Sequence, residues 1–130
     1  MKITIIGSGN MGGAIAKGLS QGSIFQASDI TCTAQTDETL EKMRNINEDF
    51  NLTHDNITAV RESDLVIIAV KPWRVQSVIE EIRPVLQFDK QIIISIAAGV
   101  TFEQLNSHLK KSIASKVQVN PVIFRVMPNT

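Results

Sequence analysis

The chain has one cysteine, Cys32, so it can form no intramolecular disulfide, and it fits a reducing, cytoplasmic setting. It has no excess of charge of either sign: thirteen basic side chains balance thirteen acidic ones. Nothing long-range therefore draws it to nucleic acid or to an anionic membrane, and neither is expected as a partner. Long apolar runs are missing too. "LVIIAV" at 65–70 and "IIISIAA" at 92–98 fall far short of the roughly 20 residues that a membrane helix needs. No secretory leader is evident, because the apolar run after Met1-Lys2 breaks at Gly7. The triplets Asn51-Leu52-Thr53 and Asn56-Ile57-Thr58 are accordingly read as chance rather than glycosylation sites. Cys32, His54 and His108 share no ligand spacing, which argues against a metal and leaves them as ordinary surface or core residues. Repeats, linkers and low-complexity stretches are also absent.

What is there is a 130-residue chain with 43% hydrophobic and 20% charged residues, enough for one domain around one core. Short apolar runs alternate with helical patterns throughout. Strands are expected at Ile3–Ile6, Ile30–Ala34, Leu52–His54, Leu65–Val70, Gln91–Ile96 and Val122–Met127. Between them, Ile15, Gly18 and Leu19 mark the inner face of a first helix, and Leu40, Met43 and Phe50 that of a second. A short helix over Asn56–Glu62 is opened by Asp55 and Asn56. Val75, Val78, Ile79 and Ile82 recur at i, i+3, i+4, i+7, and Pro84 ends or kinks that helix. Thr101 and Gln104 form a capping box before a helix through Phe102, Leu105 and Leu109. Strands without polar alternation are buried on both faces, which is typical of parallel sheets covered by helices. The expected fold is α/β: a Rossmann-type, doubly wound, mostly parallel sheet of about six strands with helices on both faces.

Three glycines stand where the first strand passes into the first helix. Gly7-Ser8-Gly9-Asn10-Met11-Gly12 fits G-x-G-x-x-G in the strand–loop–helix context that the motif requires. Gly7 allows the tight turn, Gly9 lets a pyrophosphate approach the backbone, and Gly12 lets helix and strand pack closely. The free N–H groups and dipole of the helix then favour the phosphate charge. Asn10 either donates to a phosphate or caps the helix. At the end of the second strand, an NAD site would place an acid about 20 residues past the loop to take the ribose 2′-hydroxyl. This chain has Thr33-Ala34-Gln35-Thr36 there, which favours NADP(H) and leaves NAD(H) open, although no arginine stands beside it. Asp37 follows, at the start of the second helix, where the dipole favours an acid.

Two further segments, "AVKPW" at 69–73 and "SIAAGV" at 95–100, fall where an open α/β sheet binds its ligand, at the carboxyl ends of strands. With "GSGNMGGAIAKGL" and the terminal "RVMPNT", they resemble pyrroline-5-carboxylate reductase over essentially the whole chain. The resemblance implies an oxidoreductase of proline biosynthesis that reduces a cyclic imine, 1-pyrroline-5-carboxylate, to L-proline. It implies that the loop Gly7 to Gly12 holds the pyrophosphate and that Ala69, Val70, Lys71 and Pro72 line the cofactor. It also implies that Asn56 contacts the adenine-side ribose, that Ala97, Ala98 and Gly99 lie near the nicotinamide, and that Asn129 faces the substrate. Each has a plainer alternative: Lys71-Pro72 as a strand terminator, Gly99 as a turn glycine, Asn56 as a helix cap. Trp73 is expected to pack against a neighbour, and Cys32 to be a small buried side chain.

Members of that family continue after M-P-N-T into a helical domain that forms the dimer and completes the imine site. Residues 1–130 thus correspond to the dinucleotide-binding domain, with that second domain absent. The full-length protein would be a homo-oligomer acting on a small-molecule substrate. No residue here makes a convincing general acid, Lys71 being the sole candidate, so cofactor binding without appreciable turnover is expected. Apolar surface that the second domain would cover is expected to be exposed. A β-hydroxyacid-dehydrogenase-like or deazaflavin-linked NADP reductase domain stays open as an alternative, as does a non-catalytic dinucleotide-binding module. The two enzyme alternatives share the glycine loop but fit "SIAAGV" and "RVMPNT" poorly.

Overall fold

The structure, a computed structural model, describes residues 1–110 and 122–126. Six strands form one sheet: β1 (Ile3–Ile6), β2 (Ile30–Thr33), β3 (Asn51–Thr53), β4 (Leu65–Ile68), β5 (Ile92–Ser95) and β6 (Val122–Arg125). Their order is β3-β2-β1-β4-β5-β6, and every neighbouring pair is parallel. The expected doubly wound sheet is present, and it is parallel throughout rather than mostly so. The strands end one or two residues earlier than the apolar runs suggest, because Val70 and Ile96 continue into the loops that the ligand side needs.

Side chains alternate across this sheet. On one face Ile3, Ile5 and Ile67 pack with Ala16 of α1 (Asn10–Gln21) and Met43 of α2 (Asp37–Ile46). On the other, Ile6, Val66 and Ile68 pack against α3 (Asn56–Arg61), α4 (Val75–Ile82) and α5 (Phe102–Lys110). All four apolar positions read from the α4 periodicity are buried. Pro84 sits in the 3-10 turn Arg83–Val85 that closes α4, so it ends the helix. The Thr101–Gln104 capping box forms in both directions: Gln104 N–H donates to Thr101 Oγ1 at 3.1 Å, and Thr101 N–H to Gln104 Oε1 at 2.9 Å.

Several expectations need correction. Gly18 is exposed, and Gly12, Gly13 and Ala16 form the buried face of α1 instead. Phe50 is buried but lies beyond the end of α2, in the loop to β3. Trp73 is 78% exposed rather than packed against a neighbour. Gln91 stands before β5 rather than within it. It is fully buried in polar partners, donating to the Val60 and Ser63 carbonyls at 2.7 Å each. No helix among the described residues is long and apolar enough to cross a membrane.

Candidate functional site

The carboxyl ends of β1, β2, β4 and β5 open onto a continuous trough, made of two clefts that share Gly7, Ala34, Gln35, Val70 and Arg74. The larger, of about 440 Å³, gathers residues from four separate segments. Gly7, Ser8, Gly9, Asn10 and Met11 come from the glycine loop, and Gln35 from the end of β2; Ala69 to Pro72 follow β4, and Ala97 and Ala98 follow β5. The smaller, of about 300 Å³, is lined by Thr33, Gln35, His54, Asn56, Arg74 and Glu81 among others. The two predicted groups, one around the glycine loop and one around Asn56, thus meet along one surface.

The glycine loop is built as its spacing requires. Gly7 has φ +88, and a Cβ there would come within 2.7 Å of Val70 Cγ1. Both the Gly7 and Ser8 N–H groups donate to the Thr33 carbonyl, at 3.2 and 3.0 Å, tying the loop to β2. That is the role of Thr33, whose side chain is buried. A Cβ on Gly12 would overlap the Gly7 carbonyl oxygen, so the close approach of α1 to the loop requires glycine. A Cβ on Gly9 would meet nothing within 4 Å, leaving the backbone open to the cleft. Gly9 is the N-cap of α1, with no side chain bonded to the first turn, so Asn10 does not cap the helix; it is the first helical residue and is exposed. The first-turn N–H groups therefore have no partner within the helix. Ser8 is 3% exposed, and its hydroxyl, beside the Cys32 thiol, meets no nitrogen or oxygen partner among the described residues.

The remaining predicted residues fall as follows. Asn56 is the first residue of α3, not its cap. Asp55 caps the helix, accepting from the Ile57 and Thr58 N–H groups at 3.1 and 3.2 Å. The Thr58 hydroxyl, with those N–H groups, holds the Asp55 carboxyl below its usual range. Asn56 Nδ2 instead donates to Glu81 Oε1 at 2.8 Å, inside the smaller cleft. Gly99 adopts φ +78, as a turn glycine does, but it lines a neighbouring hollow with Pro72, Trp73 and Val100 rather than the main trough. Asn129, like the rest of 127–130, lies outside the described residues. Cys32 is buried beneath the loop, and burial pushes its thiol up to about 12, against a smaller opposing effect of Ser8. It is protonated and chemically quiet, the apolar core residue its strand position implies.

Three ionisable residues of the trough were not legible as site residues: His54, Arg74 and Glu81. His54 Nδ1 faces the Ala34 carbonyl oxygen at 2.6 Å, and Nε2 faces Asp37 Oδ1 at 2.7 Å. Both partners only accept, so the two bonds are made together by the protonated ring, and the arrangement favours that form. The Asp37 hydrogen bond, then that to Ala34, raise its pKa above the ordinary 6.5. Asp37 is the first residue of α2, capped by Thr36, as its position after β2 suggests. Arg74 enters from the turn Pro72–Arg74 after β4. The sequence places an arginine two positions past Pro72, but its nearness to Gln35 depends on β1 lying between β2 and β4.

These residues fit a dinucleotide. The loop leaves a space that a Cβ at Gly9 would otherwise occupy, and a buried hydroxyl and a helix amino end stand ready for phosphate oxygens. Comparison with known proteins agrees. Pyrroline-5-carboxylate reductase 2 of Dictyostelium discoideum is 34% identical over 128 residues, 98% of this chain and 40% of that protein. The structure of a pyrroline-5-carboxylate reductase from Coxiella burnetii has a TM-score of 0.81 at 30% identity, covering 99% of this chain and 44% of that one. The NADP-bound pyrroline carboxylate reductase of Plasmodium falciparum has a TM-score of 0.78 at 26% identity, over 99% of this chain and 42% of that one. The resemblance read from the four motifs thus extends along the whole chain, which spans about two fifths of the length of these relatives. A family model described as NADP oxidoreductase, coenzyme F420-dependent, matches residues 2–99, and the chain belongs to that family.

Proposed function

We propose that residues 1–130 are the NADP(H)-binding domain of a reductase that converts 1-pyrroline-5-carboxylate to L-proline. One observation carries this reading: the similarity to pyrroline-5-carboxylate reductases continues past residue 99, where the family match stops, and covers 98–99% of the chain. The family's description favours a second reading, exchange of hydride with the deazaflavin F420. That reading draws no support from 100–126.

When bound, reduced NADP supplies the hydride that adds to the imine carbon. The chain's own residues bind and orient. First-turn N–H groups of α1 and the Ser8 hydroxyl take the pyrophosphate, and Gly9 keeps the backbone within reach. Ala69 to Lys71 on one side and Ala97 and Ala98 on the other form the walls along which the nicotinamide half lies. Asn56 and Gln35 reach the adenine-side ribose. Positioning of this kind removes the orientational entropy of bringing two reactants together. Hydride addition to the protonated imine would neutralise its positive charge. Asn129 and a further helical, dimer-forming domain would supply the substrate side. The exposed apolar side chains Trp73, Phe102 and Phe124 fit a face that such a domain covers.

Calorimetric titration of the 130-residue chain with NADPH should give one site per chain, without measurable imine reduction. Absence of binding, or robust turnover by this chain alone, overturns the reading. In a longer protein carrying this domain, NADPH oxidation should depend on 1-pyrroline-5-carboxylate, and oxidation that depends on F420 instead would favour the second reading.

A further inference from the structure

We infer that Arg74 is the cation that receives the 2′-phosphate of the dinucleotide, so that cofactor preference is set from the turn after β4 rather than from the end of β2. The inference rests on the dinucleotide reading above and adds to it a residue and a source of discrimination.

A 2′-phosphate carries close to two negative charges and needs a positive partner, most effectively the forked guanidinium of arginine. The end of β2, where such a residue is ordinarily sought, has only Thr33, Ala34, Gln35 and Thr36. Arg74 lines both clefts, together with Ala34 and Gln35 in each. Its backbone is fixed at two points. Its N–H donates to the Lys71 carbonyl at 2.9 Å, and its own carbonyl accepts from Ser77 Oγ at 3.0 Å. Arg74 as a residue is partly buried, and its guanidinium makes no ion pair or hydrogen bond with any described residue.

The acids beside the trough are in the opposite state. Asp37, which could otherwise serve as an acid for a ribose 2′-hydroxyl, is paired with His54, whose ring is tied to Ala34 as well. Glu81 accepts from Asn56. Both carboxylates are engaged while the arginine is not. That balance suits an incoming phosphate, whereas an unphosphorylated ribose would have to share a carboxylate that already has a partner.

The test compares NADPH, NADH and 2′,5′-ADP on the full chain and on Arg74→Gln and Arg74→Lys. Energy transfer from Trp73, the single tryptophan, to the reduced nicotinamide provides one readout and calorimetry the other. The native chain should prefer NADPH. Arg74→Gln should weaken NADPH and 2′,5′-ADP by about 10- to 100-fold, while NADH stays within about twofold. Arg74→Lys should fall between, keeping the charge but not the fork. Thermal melts should be unchanged, since the side chain has no described partner to lose. An equal loss for NADPH and NADH, or no loss for either, overturns the inference while leaving the dinucleotide site standing. A native chain that prefers NADH also overturns it, whereas one that binds neither cofactor removes the dinucleotide reading itself.

Discussion

The two ends of the sheet handle buried polar groups in opposite ways. At the amino ends of the strands, Thr4, Ser63 and Gln91 are satisfied from within. Thr4 and Ser63 hydroxyls contact each other and both donate to the Ala59 carbonyl. Gln91 donates to two carbonyls near the end of α3 and accepts from Gln87 N–H at 2.8 Å. Lys2 N–H is held by Asp64 Oδ2 at 2.8 Å. These side chains satisfy carbonyls that the C-terminus of α3 leaves without helical partners. At the carboxyl ends, the first turn of α1 has no side-chain cap, and among the described residues the buried Ser8 hydroxyl has no nitrogen or oxygen partner and Arg74 no ion pair. Buried polar groups are usually bonded; among the described residues Ser8 Oγ, Arg83 Nε and His108 Nδ1 are the exceptions, and Ser8 is the one that lines the trough, where a ligand can complete its bonding. One end stabilises the fold, and the other holds unmet bonding capacity for a partner.

Substitutions can break that contrast. The largest effect is expected at Gly12→Val, whose added carbons have no room beside the Gly7 carbonyl. The loop must shift, and dinucleotide affinity should fall by about 100-fold or more, with a fold destabilised by about 1–3 kcal/mol. Unaltered affinity by calorimetry would mean that the loop does not cradle phosphate. Gln91→Leu should do the reverse, costing about 1–3 kcal/mol in urea unfolding because the Ser63 carbonyl and the Gln87 N–H lose the Gln91 side chain as partner and the Val60 carbonyl keeps only the Ser63 N–H. Dinucleotide affinity of the folded protein should be preserved; a selective loss of affinity instead would mean that the amino end reaches the site.

The smallest effect is expected for His54, a polar group of the ligand side that, like Asn56 with Glu81, is satisfied internally. Its folded pKa is raised, so the stabilisation from its pairing with Asp37 is complete below the ordinary value of 6.5 and fades as pH rises through the raised folded value. Both side chains face water, at 47% and 99% exposure, which keeps the contribution small. His54→Gln should flatten that part of the pH–stability profile. An unchanged slope would show that the pair contributes nothing to stability.

Periodicity and local chemistry made much of this molecule legible before any coordinates. The α4 stripe, the Thr101–Gln104 box and the fit of Gly12 against the Gly7 carbonyl are properties of near neighbours in the chain, and local sterics determine them, whereas the space at Gly7 is also closed by Val70 after β4. Errors arose where a residue's surroundings come from elsewhere. Gly18 has a phase on α1 that small residues cannot announce, because Gly and Ala pack inward or stay outside with little difference in pattern. Trp73 and Gln91 look apolar and polar respectively, yet the first is exposed and the second buried, since each follows what the sheet brings against it. The absence of an arginine at the end of β2 was a correct reading of the sequence, but the cleft takes Arg74 from another strand's loop.

By itself, then, the sequence determined the alternation of strands and helices, the parallel sheet that apolar strands require, and a loop able to hold phosphate. These follow from burial and backbone sterics acting over a few residues. Only the tertiary structure decided which distant side chains share the trough and which acids are already paired. The order β3-β2-β1-β4-β5-β6 sets those distances, and charge interactions depend on separation in space rather than along the chain.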